Sequence, residues 1–209
     1  MIHRSLVASF ACVILASPAW AAEKPKPAAK ARDCSAEPAP DGKLVLHIDD
    51  QAIPLTVATI RSQQKMSMGD EESKESFEVF GLSLRDAESI FPPHEVEISV
   101  MVVEGQPLDG KTFRQLPVDD MKQQPTPVKA ENDWMPEIQS IEVSSEPDDI
   151  DYEHGVLASV RVEFGKRNGD VQPGKLRLCI APGQTDATFL PEPTRTIVVE
   201  GAFEAKQGL

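Results

Sequence analysis

Aromatic side chains are scarce in this chain: eight Phe, two Trp and one Tyr among 209 residues. Trp20 lies at the end of the amino-terminal apolar stretch, which leaves Trp134 and Tyr152 as the rings with a polar tip. Platforms that stack sugar rings or unpaired bases need several such rings, so that class of binding has thin support. Basic charge is also short, with 21 Lys and Arg against 34 Asp and Glu and a formal net charge of −13. Such a surface repels nucleic acid and anionic lipid, while a basic partner or divalent cations stay compatible with it. No Cys-x-x-Cys, Gly-x-Ser-x-Gly or His-Glu-x-x-His occurs. The local signatures of redox thiols, α/β-hydrolase nucleophiles and zinc proteases are therefore missing. Gly81-Leu-Ser-Leu-Arg85 fails at its second glycine, and His94-Glu95-Val-Glu-Ile98 lacks a second histidine. Only two asparagines exist, Asn132 and Asn168, and neither opens an Asn-x-Ser/Thr acceptor.

What is present begins with an export signal. Met1–Arg4 gives a positive start, residues 5–17 are almost wholly apolar or small, and Ala19-Trp20-Ala21 is a small-x-small cleavage site. Ala22 is then the mature amino terminus. No later apolar stretch approaches the ~20 residues that a membrane-spanning helix needs. Cys12 does not read as a lipid anchor, because Ser9-Phe10-Ala11 puts a bulky ring where small residues are wanted and the apolar run continues past it. Bacterial periplasm is the expected address, with secretion to the outside as the alternative. Removal of Cys12 leaves Cys34 and Cys179 in a compartment where disulfides persist, which makes them one expected bridge. Closing so long a loop contributes about 4–5 kcal/mol in the chain-entropy account.

Residues 22–41 are rich in Pro, Ala and Lys, with Lys24, Lys26, Lys30 and Arg32 close together. That composition cannot bury much apolar area and predicts a disordered leader. From residue 42 onward the apolar period is two. Leu44, Leu46 and Ile48 alternate with Val45 and His47, and Val96, Ile98, Val100 and Val102 with Glu97, Ser99 and Met101. The sets Val156–Phe164, Leu176–Ile180 and Ile197–Phe203 repeat the pattern. Turn signals stand between them at Asp49-Asp50, Pro92-Pro93, Gly105-Gln-Pro, Asn168-Gly169, Pro173-Gly174 and Pro182-Gly183. The pattern predicts an all-β chain, an antiparallel β-sandwich over residues 42–206. One short helix is expected at residues 84–90, stopped by Pro92, and a mobile loop at residues 65–74. Residues 117–136, with four prolines, read as a crossover between halves at 42–116 and 137–206. The two halves carry similar strand-turn segments around Gly110-Lys111 and Gly174-Lys175, as an internal duplication would leave.

Gly105-Gln-Pro-Leu-Asp-Gly-Lys-Thr112 matches the phosphate-loop pattern letter for letter, but a strand rather than a helix is expected to follow, so it reads as a hairpin turn. Glu146, Asp148, Asp149, Asp151 and Glu153 crowd one turn, a set of hard oxygens that suits calcium, with Glu131 and Asp133 as further donors. The glycine of an EF-hand loop is missing, and a solvated acidic loop is the simpler reading. Met66 and Met68 are soft donors that copper could use if a histidine approached. His47, His94 and His154 have no partner at metal-binding spacing. These readings lead to an exported, non-enzymatic β-sandwich that binds a protein or an envelope component. The loop 66–75 and the acidic turn 146–153 are the candidate contact surfaces. A calcium-binding module, and a hydrolase whose residues meet only in the fold, are the alternatives. Expression of the full chain in a bacterial host should release a protein whose intact mass starts at Ala22; a mass that retains Met1 would remove the export argument and the support for the bridge.

Overall fold

In the computed structural model, residue 34 and residues 39–68, 75–115, 137–154, 158–181 and 195–208 are described. The signal, most of the leader, residues 69–74, the crossover with Glu131, Asp133 and Trp134, and Pro182-Gly183 lie outside the described residues. The strands are β1 (Val45–Ile48), β2 (Gln51–Pro54), β3 (Val57–Met68), β4 (Glu75–Arg85), β5 (His94–Val103) and β6 (Thr112–Gln115). They continue with β7 (Ile138–Ser145), β8 (Ile150–His154), β9 (Ser159–Phe164), β10 (Val171–Ile180) and β11 (Ile197–Gln207). A single 3₁₀ turn, Glu146–Asp148, is the helical piece among the described residues.

The chain is all-β, and among the described residues its strands pair antiparallel but for β11 with β3, with one further isolated parallel bridge at Lys43↔Ala202. The strands form one sheet of eleven in the order β6-β9-β10-β11-β3-β4-β5-β7-β8, with β1 attached to β11 and β2 to β1. β11 pairs with β10 along one edge from Ile197 to Lys206. Its other edge pairs with β1 as far as Glu200 and then with β3, in parallel, at Lys206↔Thr59 and Gln207↔Ile60. That short parallel contact joins two limbs that face each other across one core, and β6 at one end comes into contact with β7 near the other. Strands of the two sequence halves are interleaved, since β1 pairs with β11 and β6 with β9.

The period-two reading identifies the core face. Leu46, Ile48, Val96, Ile98, Val100, Val160, Val162, Leu176, Leu178, Ile180, Ile197 and Val199 are all buried in one cluster. Phe113, Phe164 and Phe203 stack edge to face at 5.8 and 6.0 Å and tie β6, β9 and β11 together. Such ring pairs contribute about 0.5–1.5 kcal/mol each beyond their burial. The opposite face of β4 and β5 is not simply solvated, because Phe77, Val79 and Met101 form a second buried cluster there with Met66 and Val103 packed against it.

Four local expectations are corrected. Residues 84–90 form no helix: β4 continues to Arg85, whose neighbour Leu84 is fully buried, and a bent loop follows. Residues 65–68, expected in a loop, extend β3. Pro173-Gly174 is not a turn but part of β10, opposite Glu204 and Phe203. The Phe203 ring lies over Gly174, where a Cβ would come within 2.3 Å of it, so glycine serves ring packing rather than chain reversal. The segment 105–111 turns at Gly105 and Gly110, both with positive φ, and leads to strand β6. It is a crossover between limbs rather than a hairpin, because β6 pairs with β9 and not with β5. Gly110-Lys111 sits in that turn and Gly174-Lys175 sits in mid-strand, so the two similar segments have different surroundings.

Gly201 has φ +134°, and a Cβ there would stand 2.4 Å from the Lys43 carbonyl oxygen. Gly169, in the Asn-Gly turn between β9 and β10, has φ +62° but open space around it. Gly201→Ala should therefore cost at least ~2 kcal/mol of stability and Gly169→Ala about 1 kcal/mol. Urea denaturation of the two variants checks the order; equal costs would contradict the close approach at Gly201.

Candidate functional site

A connected set of polar groups lies where the loop 86–93 meets the turn 146–148. The loop 86–93, between β4 and β5, is braced from several sides. Thr56 Oγ1 donates to the Asp86 carbonyl at 2.9 Å, Arg85 Nη1 to the Ser89 carbonyl at 3.0 Å, and Ser89 Oγ to the Phe91 carbonyl at 3.1 Å. The Glu146 amide donates to the Pro93 carbonyl at 3.1 Å and fastens the loop to the 3₁₀ turn. Pro92 is buried, while Ile90 and Phe91 are 88% and 84% exposed.

Beneath this loop lies a connected polar chain. His94 is 7% exposed and Ser145 fully buried, and His94 Nδ1 stands 2.9 Å from Ser145 Oγ. Ser145 Oγ in turn donates to Asp148 Oδ2 at 2.9 Å. The hydroxyl has one proton, given to the carboxylate, so the imidazole Nδ1 must carry its own and donate to the hydroxyl. Arg195 Nη1 donates to Asp148 Oδ1 at 3.0 Å and Arg195 Nε stands 3.7 Å from Asp49 Oδ2 in the β1–β2 turn. The guanidinium thus spans from the acidic turn of one limb to a turn of the other.

The set His94, Ser145 and Asp148 has the residue types of a nucleophilic triad but not its order. Catalysis needs the imidazole between hydroxyl and acid, so that it can take the hydroxyl proton. Here the serine is in the middle, its proton is bound by Asp148, and its side chain has no exposure. The wiring suits a structural clasp.

Of the suggested calcium donors, Asp148 is directed to Ser145 and Arg195. Asp149 adopts the left-handed conformation, φ 53°, that closes the turn, and Asp151 lies on β8. Among the described residues no group of three or more His, Cys, Asp or Glu side chains is placed to hold a metal ion. The Glu153 and His154 side chains lie outside the description. Met66 packs on the outer cluster, and His47 Nε2 is 3.7 Å from Glu200, which also takes Arg177. Tyr152 belongs to the core. Cys34 and Cys179 stand at disulfide distance, their Cα atoms 5.2 Å apart across 145 residues of sequence. Cys179 is buried but outside the main cluster that holds Leu178 and Ile180.

A groove of about 470 Å³ runs beside the exposed loop, between it and the turn 146–151. Glu95, Glu146, Asp149 and Asp151 line it, and a smaller cleft with Glu97 and Glu142 continues it along the sheet. None of the residues that line either is basic. Glu97 and Glu142 are direct cross-strand neighbours in register, an arrangement that like charges disfavour. A larger groove of about 580 Å³ lies over Gly165, Pro173 and Gly174, with the Asp41–Lys175 ion pair at its rim. That pair lowers the Asp41 carboxyl and raises the Lys175 amine, each through its hydrogen bond to the other.

Ile90 and Phe91 were not singled out from sequence as contact residues. The loop's proline pair marked a break, but nothing local says which of its apolar residues face solvent. Comparison with family models, with curated proteins and with solved structures returned no match. Ser145→Ala should remove both hydrogen bonds of the clasp and leave His94 and Asp148 short of a partner, at a cost of about 1–3 kcal/mol. Urea denaturation reads it, and a change near zero would show that the chain His94–Ser145–Asp148 does not hold the turn.

Proposed function

We propose that this chain is an exported, non-enzymatic binding module of the bacterial envelope, periplasmic after cleavage at Ala22. Its contact surface is the end of the fold where the loop 86–93 meets the turn 146–151. One observation carries the reading: Ile90 and Phe91, the exposed large hydrophobics among the described residues, project from a loop held by hydrogen bonds on both sides. Two such side chains in water are a standing free-energy cost, and burying them against a partner would contribute about 3–6 kcal/mol gross. A braced loop loses little conformational entropy on binding, so more of that gain is retained. The hydrolase alternative has no comparable support, because the buried serine of the clasp has its proton committed to Asp148. The acidic turn supports the reading as one wall of the contact surface rather than as a cation site.

A photo-crosslinking residue at position 91 should give a discrete adduct in the periplasm of expressing cells, and the same residue at exposed position 109 should give none. Equal labelling at both positions, or none at position 91, would count against this surface.

A further inference from the structure

We propose that the groove beside Ile90 and Phe91 receives a cationic polypeptide segment of another protein that also carries bulky apolar side chains. The inference deepens the binding-module reading and rests on it. The apolar half of the argument is the pair Ile90 and Phe91, with 88% and 84% of their surface in water. The loop that presents them is fixed to both neighbours, to the Glu146 amide through Pro93 and to Thr56 through Asp86. The knob is therefore preformed, and the groove beside it has a volume in the range of ligand sites.

The charged half is the lining of that groove. Glu95, Glu146, Asp149 and Asp151 face it with no basic side chain among its walls. Several acids elsewhere on the surface have a basic partner: Glu104 has Lys65, Glu163 has Arg161, Asp41 has Lys175 and Glu200 has Arg177. The groove is thus a local concentration of negative field in a concave wall, which attracts cations and speeds their encounter. Lysine and arginine carry long apolar stems below their charge, so a segment in which they alternate with Leu or Phe satisfies the carboxylates and covers Ile90 and Phe91 together. A lipid surface fits less well, because the same carboxylates oppose anionic headgroups.

The test uses the mature, disulfide-containing protein and a fluorescent Lys/Leu peptide of about twelve residues, followed by anisotropy, with a Glu/Leu peptide of equal length as control. The Lys/Leu peptide should bind and the Glu/Leu peptide should not. Binding should weaken at least about tenfold from about 50 to about 300 mM salt. The variant E146Q/D149N/D151N should bind at least about tenfold more weakly, as should I90S/F91S, whereas D109N/D170N/E75Q, equal in charge change but outside the groove, should bind as the wild type does. Equal loss from the two charge variants would reduce the effect to net charge and overturn the proposal, as would unchanged binding by E146Q/D149N/D151N. Self-association abolished by that variant would assign the groove to the chain's own residues 24–32 instead. Uptake onto phosphatidylcholine vesicles through Phe91, without peptide binding, would assign it to lipid. A position-91 crosslink with no charge dependence would leave the binding-module reading standing and sink only this partner class.

Discussion

Strand β11 is bonded along both edges, and its outer edge is shared by two strands that run in opposite directions. β1 occupies the first part and β3 the last two residues. Without the parallel contact at Lys206 and Gln207, no strand of the limb β3-β4-β5-β7-β8 would pair with the rest of the sheet among the described residues. Pairing with β1 stops at Glu200 and Ala202 then bridges Lys43, with Gly201 between them at positive φ and close to the Lys43 carbonyl. The core, the facing of the two limbs and the meeting of the β1–β2 turn with the 3₁₀ turn all follow from that one shared edge.

The consequence for the candidate site is positional. Arg195 stands just before β11, so the strand that joins the limbs also delivers the guanidinium that reaches Asp49 on one side and Asp148 on the other. A charge-assisted contact of this kind is stronger than a neutral one, and Asp148 is largely shielded, with 14% of its side chain exposed. The clasp orders the turn 146–148; the turn's Glu146 amide holds Pro93; and Pro93 ends the loop that carries Ile90 and Phe91. An exposed apolar knob is thereby connected, through backbone and side-chain hydrogen bonds, to the junction of the whole sheet.

Much of the fold was legible because burial in a strand follows a period of two, a property of neighbouring residues. Val160, Val162 and Phe164 announce their face with no knowledge of what lies opposite. The failures come where a distant residue decides. Pro173-Gly174 carries turn chemistry, yet Phe203 across the ladder needs the space above Gly174 and keeps the pair in the strand. Met101 occupies the face opposite the core and is still fully buried, because Phe77 and Val79 on the adjacent strand gather there. Residues 84–90 have helix-compatible composition, but pairing of Leu84 with Val96 wins over local preference.

The candidate site was legible only in its parts. The acidic turn, His47, His94, His154 and the lack of catalytic motifs can all be read from the chain, and so can Cys34 and Cys179 as one expected bridge. By itself the sequence determined the strand periodicity, the acidic balance and the chemistry that is missing, since each is a count or a local pattern. Tertiary structure alone decided that His94 meets Ser145 across 51 residues and that Arg195 meets Asp148 across 47. It also decided that Ile90 and Phe91 point to water beside carboxylates from two strands and a turn. Register and limb packing set those distances, and both depend on pairings between residues far apart in the chain, which no local pattern encodes.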